Sequence, residues 1–120
     1  MNSEHEPVRV EVDETGGIVR IFKTTHDAVE FAFDSPALVK TTQYRDAVEE
    51  VRRRVFERAN SRCEWCGVVL TWRTGQMHEM LPRSRGGEIS LANSVFICYG
   101  CHQGRPESAH GDRRWGGRQL

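Results

Sequence analysis

The sequence predicts an α+β domain with a small core, and three observations predict it. Residues 8–12 and 18–22, VRVEV and IVRIF, are short runs rich in β-branched and aromatic residues on either side of a glycine-containing turn. Between about Thr42 and Ala59 the apolar residues recur at spacings of three and four, the stripe of an amphipathic helix. Two C-x-x-C pairs, Cys63/Cys66 and Cys98/Cys101, stand with 31 residues between them. A chain of 120 residues with 38% hydrophobic content builds only a modest core, and a core of that size gains most from a cross-link.

The elements follow in order. DETGG, between the first two runs, carries glycines that tolerate the positive φ of a tight turn, so residues 8–22 are expected to form an N-terminal β-hairpin. Thr24 and Asp27 have the spacing of a capping box, opening a short helix through HDAVEFAF that Ser35-Pro36 ends. In the longer helix, Tyr44, Val48, Val51, Val55 and Ala59 form the apolar stripe. Glu49 with Arg53 and Glu50 with Arg54 are expected as i,i+4 pairs on its outer face, and Asn60 suits its stop. Beyond the first cysteine pair, Gln76 to Leu81 reads as a strand, Arg83 to Ser90 as a glycine-rich loop, Val95 to Tyr99 as a second strand and the residues after Gly100 as a short helix. That is a small hairpin packed on a helix. There is no internal repeat or low-complexity tract, and the tail WGGRQL is expected to fray.

No apolar run approaches the ~20 residues of a membrane span. The acidic start MNSEHEPVRVEVDE lacks the cationic then apolar pattern of a secretion signal. A soluble, cytoplasmic protein is therefore expected, and in a reducing compartment the paired cysteines favour zinc over disulfides. Each pair presents two thiolates at about 2.3 Å to one tetrahedral ion, and Gly67 and Gly100 suit knuckle turns. Such a site is worth roughly 10–16 kcal/mol in small zinc peptides, comparable with the whole stability of a domain. If four sulfurs fill the zinc shell, His102, directly after Cys101, is left for another partner.

The residues around that histidine carry a resemblance. C-x-x-C-G, a histidine shortly before P-R-S-R-G-G, then L-x-N-S-V, then C-x-x-C-H resembles an HNH endonuclease of the zinc-containing ββα-metal type, over residues 52–102. The resemblance implies a nuclease domain at 41–120, its ββα-metal core stapled by the four-cysteine zinc site; residues 1–40 lie outside it, as an N-terminal appendage of hairpin and short helix. It implies that His78, four residues before Pro82, and His102 hold a catalytic divalent metal, and that Asn93 braces the loop and positions the base. Water and phosphate oxygens would complete the shell of Mg²⁺, Mn²⁺ or Ni²⁺. One position departs from the pattern: where the family has its general-base histidine, three residues before Pro82, this chain has Glu79. A carboxylate, with a reference pKa of about 4.3, is a weaker base than imidazole unless burial raises it. Glu79 as the base, Glu79 as a third metal ligand with His110 or an activated water as base, and loss of catalysis all stand open on the sequence.

The zero net charge divides sharply. Residues 1–50 hold five Lys/Arg against eleven Asp/Glu, and residues 51–120 hold twelve, all arginine, against six. An arginine-only basic half fits a phosphate-rich partner. The resemblance places Arg83 and Arg85 beside the metal as phosphate clamps, with Arg113 or Arg114 contributing from the tail. The arginine face of Arg52, Arg53, Arg54 and Arg58 is expected on the DNA backbone. The function expected is a metal-dependent HNH endonuclease or nickase hydrolysing DNA phosphodiester bonds. Small members of this kind suggest a bacteriophage origin, with terminase subunits as partners. Two other classes remain: a catalytically weak or inactive zinc-stabilised DNA-binding module, and a zinc ribbon that binds a protein through its acidic half. His5 and His26 are expected as surface histidines, and Trp65, Trp72 and Trp115 as packing residues.

Overall fold

The computed structural model describes residues 6–104. It is a small α+β protein with two antiparallel sheets and a long helix between them. The expected hairpin forms from β1 (Pro7–Val12) and β2 (Ile18–Ile21), joined by a turn in which Gly16 takes φ 87° and the Asp13 carboxylate accepts from the N–H groups of Thr15 and Gly17. The hydroxyl of Thr15 and the guanidinium of Arg54 also donate to Asp13, and these bonds hold its carboxyl well below the usual carboxylate range.

Helix α1 (Thr25–Asp34) starts as expected, with the Thr24 hydroxyl accepting from the Asp27 N–H at 3.0 Å, and ends at Ser35. The next element is a correction. Residues 39–43, VKTTQ, form strand β3 (Val39–Gln43), which pairs antiparallel with β1 and completes a sheet of order β2-β1-β3. Its β-branched Val39, Thr41 and Thr42 suit a strand. The ladder claims Thr42, so helix α2 (Tyr44–Ala59) begins two residues later than expected, and Asn60 stops it in the left-handed conformation, φ 58°.

The stripe on α2 is buried as expected at Val51 and Val55, with Ala47 added. The outer-face pairs are not what their spacing suggests. Glu50 turns inward to accept from Ile18 N–H at 2.7 Å, and Arg54 grips Asp13 at 2.7 Å and Ile18 O at 2.8 Å. Both residues fasten the N-terminal hairpin to the helix rather than lacing the helix to itself.

After the first cysteine pair comes the second sheet, β4 (Gly75–Glu79) against β5 (Ser94–Cys98), with His78 opposite Val95 and Glu79 opposite Ser94. A Cβ on Gly75 would run into the Phe96 ring, which is fully buried beneath it. The chain then enters a single wide turn of π-helix, Gly100–Gly104, at the place where the sequence predicts a short helix.

The two halves are sewn together along one edge. Ile21 N–H donates to Ile89 O at 2.8 Å and Leu91 N–H to Val19 O at 2.9 Å, with Arg20 bridging Ser90. The β4–β5 loop thereby extends the N-terminal sheet beyond β2. Val10, Ile18 and Ile21 share one hydrophobic cluster with Val51, Val55, Phe96 and Ile97, so the stretch read as an appendage contributes to a common core. None of the described helices is long and apolar enough to cross a membrane.

Candidate metal centre and imidazole pair

Two turns build the cysteine site. The first is a knuckle at residues 61–70: Cys63 N–H donates to Val68 O at 2.8 Å, Gly67 N–H donates to Cys63 O at 2.9 Å, and Gly67 takes φ 85°. The second lies where β5 runs into the Gly100–Gly104 turn. They bring the four sulfurs within 4.8 Å of one another, Cys63 to Cys101 at 3.8 Å and Cys66 to Cys98 at 3.7 Å. A tetrahedron of thiolates about 2.3 Å from zinc has edges of about 3.8 Å, so the spacing fits one ion, whereas a disulfide requires sulfurs about 2.05 Å apart. None of the four is in a disulfide.

The surrounding N–H groups fit the same purpose. Trp65, Cys66 and Cys98 direct backbone N–H groups at Cys63 Sγ, each at 3.4 Å, and Cys101 N–H does so at Cys98 Sγ. Burial pushes the Cys63 thiol up, but these donors outweigh it and bring the group down to about 7. At Cys101 burial, donation toward Cys98 and the charge of Cys63 act together and raise the thiol far above its usual range. Four sulfurs this close cannot all ionise alone; a divalent cation removes the repulsion.

His102 follows Cys101 on the turn, and His78 projects from β4; their ring centroids lie 5.0 Å apart at 67°. The Trp65 indole lies edge-on to His78 at 6.2 Å. That separation and tilt are those of an edge-to-face ring pair, which brings the two imidazoles into contact. Among the described residues the cysteine quartet is the group of three or more such ligands, so Glu79 does not join the imidazoles in a three-ligand cluster.

Asn93 does brace the loop. Its Oδ1 accepts from Leu81 N–H at 2.8 Å, and its Nδ2 donates to Leu81 O at 2.9 Å and Glu88 O at 2.8 Å, while its own carbonyl takes Met80 N–H. The exit of β4, two residues beyond Glu79, is held from both sides. Gly87 is required there because a Cβ would collide with the Leu81 carbonyl.

The arginines divide. Arg83 and Arg85 lie exposed on the loop, and Arg53 is exposed on α2. Arg52 is committed internally: it donates to Trp72 O at 2.6 Å and Gly75 O at 3.1 Å, with its guanidinium 3.9 Å above the Trp72 ring. Burial lowers its pKa. Arg54 holds the hairpin turn. Arg58 forms a two-bond fork with Glu64, at 2.8 and 3.0 Å, and also donates to Leu91 O and Ser94 O. Three of the four residues expected on the DNA backbone are thus structural clamps. Glu64 and Arg58, which tie the first knuckle to α2 and β5, are the residues that sequence reasoning missed in these roles. The x positions of a C-x-x-C knuckle were the available signal. Trp65 and Trp72 pack as expected, and His26 is exposed beside Glu30 at 3.4 Å. His5, His110, Arg113, Arg114 and Trp115 lie outside the described residues.

Comparison of the chain with family models, curated proteins and solved structures finds no match in any of them. Fold and site define a small α+β protein with a four-cysteine cluster able to bind a metal such as zinc.

Proposed function

We propose that this protein is a divalent-metal-dependent endonuclease or nickase of the HNH kind, hydrolysing phosphodiester bonds in DNA. The observation that carries the reading is the 5.0 Å approach of His78 and His102 beside the cysteine quartet. A second-sheet strand and a turn after the last cysteine are brought together by the scaffold that a structural zinc would lock. An ion held by His78 and His102, Mg²⁺, Mn²⁺ or Ni²⁺, would supply Lewis-acid stabilisation of charge on the phosphate.

The remaining work falls to side chains. Glu79, half-buried and adjacent to His78, takes the proton from the attacking water. Asn93 keeps the exit of β4 in place and so fixes where Glu79 stands. Arg83 and Arg85 clamp flanking phosphates.

The test is nicking of supercoiled plasmid with Mg²⁺, Mn²⁺ or Ni²⁺ added. His78→Ala and His102→Ala abolish nicking with the zinc content and melting temperature retained, and Glu79→Gln lowers turnover more than binding. Unchanged nicking in either histidine variant refutes the assignment. Salt-sensitive DNA binding without nicking by the native protein marks a zinc-stabilised binding module instead.

A further inference from the structure

The seam between the N-terminal sheet and the β4–β5 loop encloses a cavity of about 180 Å³ lined by Val8, Ile21, Phe22, Lys23, Tyr44, Arg83 and Ile89. Ile21 N–H on Ile89 O fixes one wall, and Tyr44 N–H on Glu6 O fixes the start of α2 against β1. Lys23, where the chain leaves β2, and Arg83, on the site loop, therefore face the same space although 60 residues separate them in sequence. No carboxylate lines it. A second cavity of about 230 Å³ shares Val8, Phe22 and Lys23 and adds Arg9, so the two form one furrow whose wall carries three cations against the carboxylate of Glu6. Glu11 and Glu88 are turned onto Arg20 at 2.8 and 3.1 Å, and Asp27 stands in the first turn of α1 behind the lining residue Thr24.

We propose that this furrow is a phosphate subsite for a nucleic-acid strand, so that the N-terminal sheet extends the footprint of the loop that bears Arg83. The cavity is below the roughly 300–1,000 Å³ of small-molecule pockets and suits a phosphate on a backbone that runs past it. The acidic total of the N-terminal half does not forbid this, because charges beyond about 8 Å are largely screened at physiological salt. The proposal rests on the nuclease reading for the nature of its ligand but not for catalysis.

Lys23 and Lys40 are the two lysines of the chain, and Lys40 lies on β3 outside the furrow. The full-length native protein is acetylated with an amine-reactive reagent, alone and with excess 20-base-pair duplex, single strand of the same length, mononucleotide or inorganic phosphate. Duplex or single strand should slow modification of Lys23 several-fold and leave Lys40 unchanged. Lys23→Ala should also flatten the salt dependence of duplex binding by about one phosphate contact, which is about fivefold weaker binding at 0.15 M salt, and Lys40→Ala should not. Equal modification of Lys23 with and without strand, an unchanged slope in Lys23→Ala, no salt-sensitive binding at all, or protection by phosphate and mononucleotide alone would each overturn the proposal. A protein that nicks plasmid with Lys23 unprotected loses the furrow and keeps the nuclease; one that protects Lys23 without nicking does the reverse.

Discussion

Replacing Arg58 by alanine separates the structural arginines from the DNA-binding ones. The side chain makes a fork to Glu64 at 2.8 and 3.0 Å and donates to Leu91 O at 2.8 Å and Ser94 O at 2.6 Å. Glu64 in turn accepts the Phe96 N–H at 2.8 Å. Because the Arg58 and Glu64 side chains are 42% and 21% exposed, water screens the ion pair to roughly 0.5–1 kcal/mol. The bonds to carbonyls from a charged donor, one of them part-buried, add about 1 kcal/mol each. Arg58→Ala should therefore cost about 3 kcal/mol, and at roughly 4 °C per kcal/mol for a domain of this size Tm falls by about 12 °C. Arg58→Lys keeps the charge but cannot reproduce the fork, so it falls between the two. Scanning calorimetry of the zinc-loaded proteins reads the shift, and DNA titrations at several salt concentrations run beside it. A Tm change under ~3 °C together with a salt slope flattened by about one contact would place Arg58 on phosphate and refute the clamp.

Elemental analysis of protein purified without added metal should find about one zinc per chain, and removing it with a strong chelator should unfold the chain, because roughly 10–16 kcal/mol of binding matches the stability of a whole domain. Retention of a cooperative melt after complete metal loss would contradict this. Gly87→Ala sets a Cβ against the Leu81 carbonyl and should lower stability by about 1–3 kcal/mol, read as a shifted urea midpoint, whereas Ala92→Gly, on an exposed residue of the same loop, should shift it by less than ~1 kcal/mol. Arg52→Ala should lower Tm by several degrees while leaving the salt slope of DNA binding in place; Arg53→Ala should flatten the slope with no loss of Tm.

Some of this architecture was legible because its causes are local. A C-x-x-C knuckle needs only four consecutive residues and a compatible turn, so the cysteine site could be read as two pairs, and the quartet closed at tetrahedral spacing. The Thr24 cap, the breaker at Ser35-Pro36 and the stop at Asn60 are likewise settled within a few residues. Asn93 was legible as a loop brace through its surrounding pattern, and its bonds to Leu81 and Glu88 follow that reading. Strand β3 was not legible: a five-residue, half-polar stretch becomes a strand only because β1 offers it an edge.

The sequence alone determined what depends on neighbours along the chain: the turns, the caps, the helix stripe, the paired thiols and the division of charge between the two halves. Tertiary structure decided which partner each long side chain reaches. An arginine stem spans several ångströms in any direction, so spacing on α2 could not distinguish Arg53, left in solvent, from Arg52, Arg54 and Arg58, which find carbonyls and carboxylates on other elements. Only the fold, by adding the β4–β5 loop to the free edge of β2 and closing the cysteines, could set His78 beside His102 and Lys23 opposite Arg83. Those juxtapositions arise from non-local pairing, which no window of residues contains.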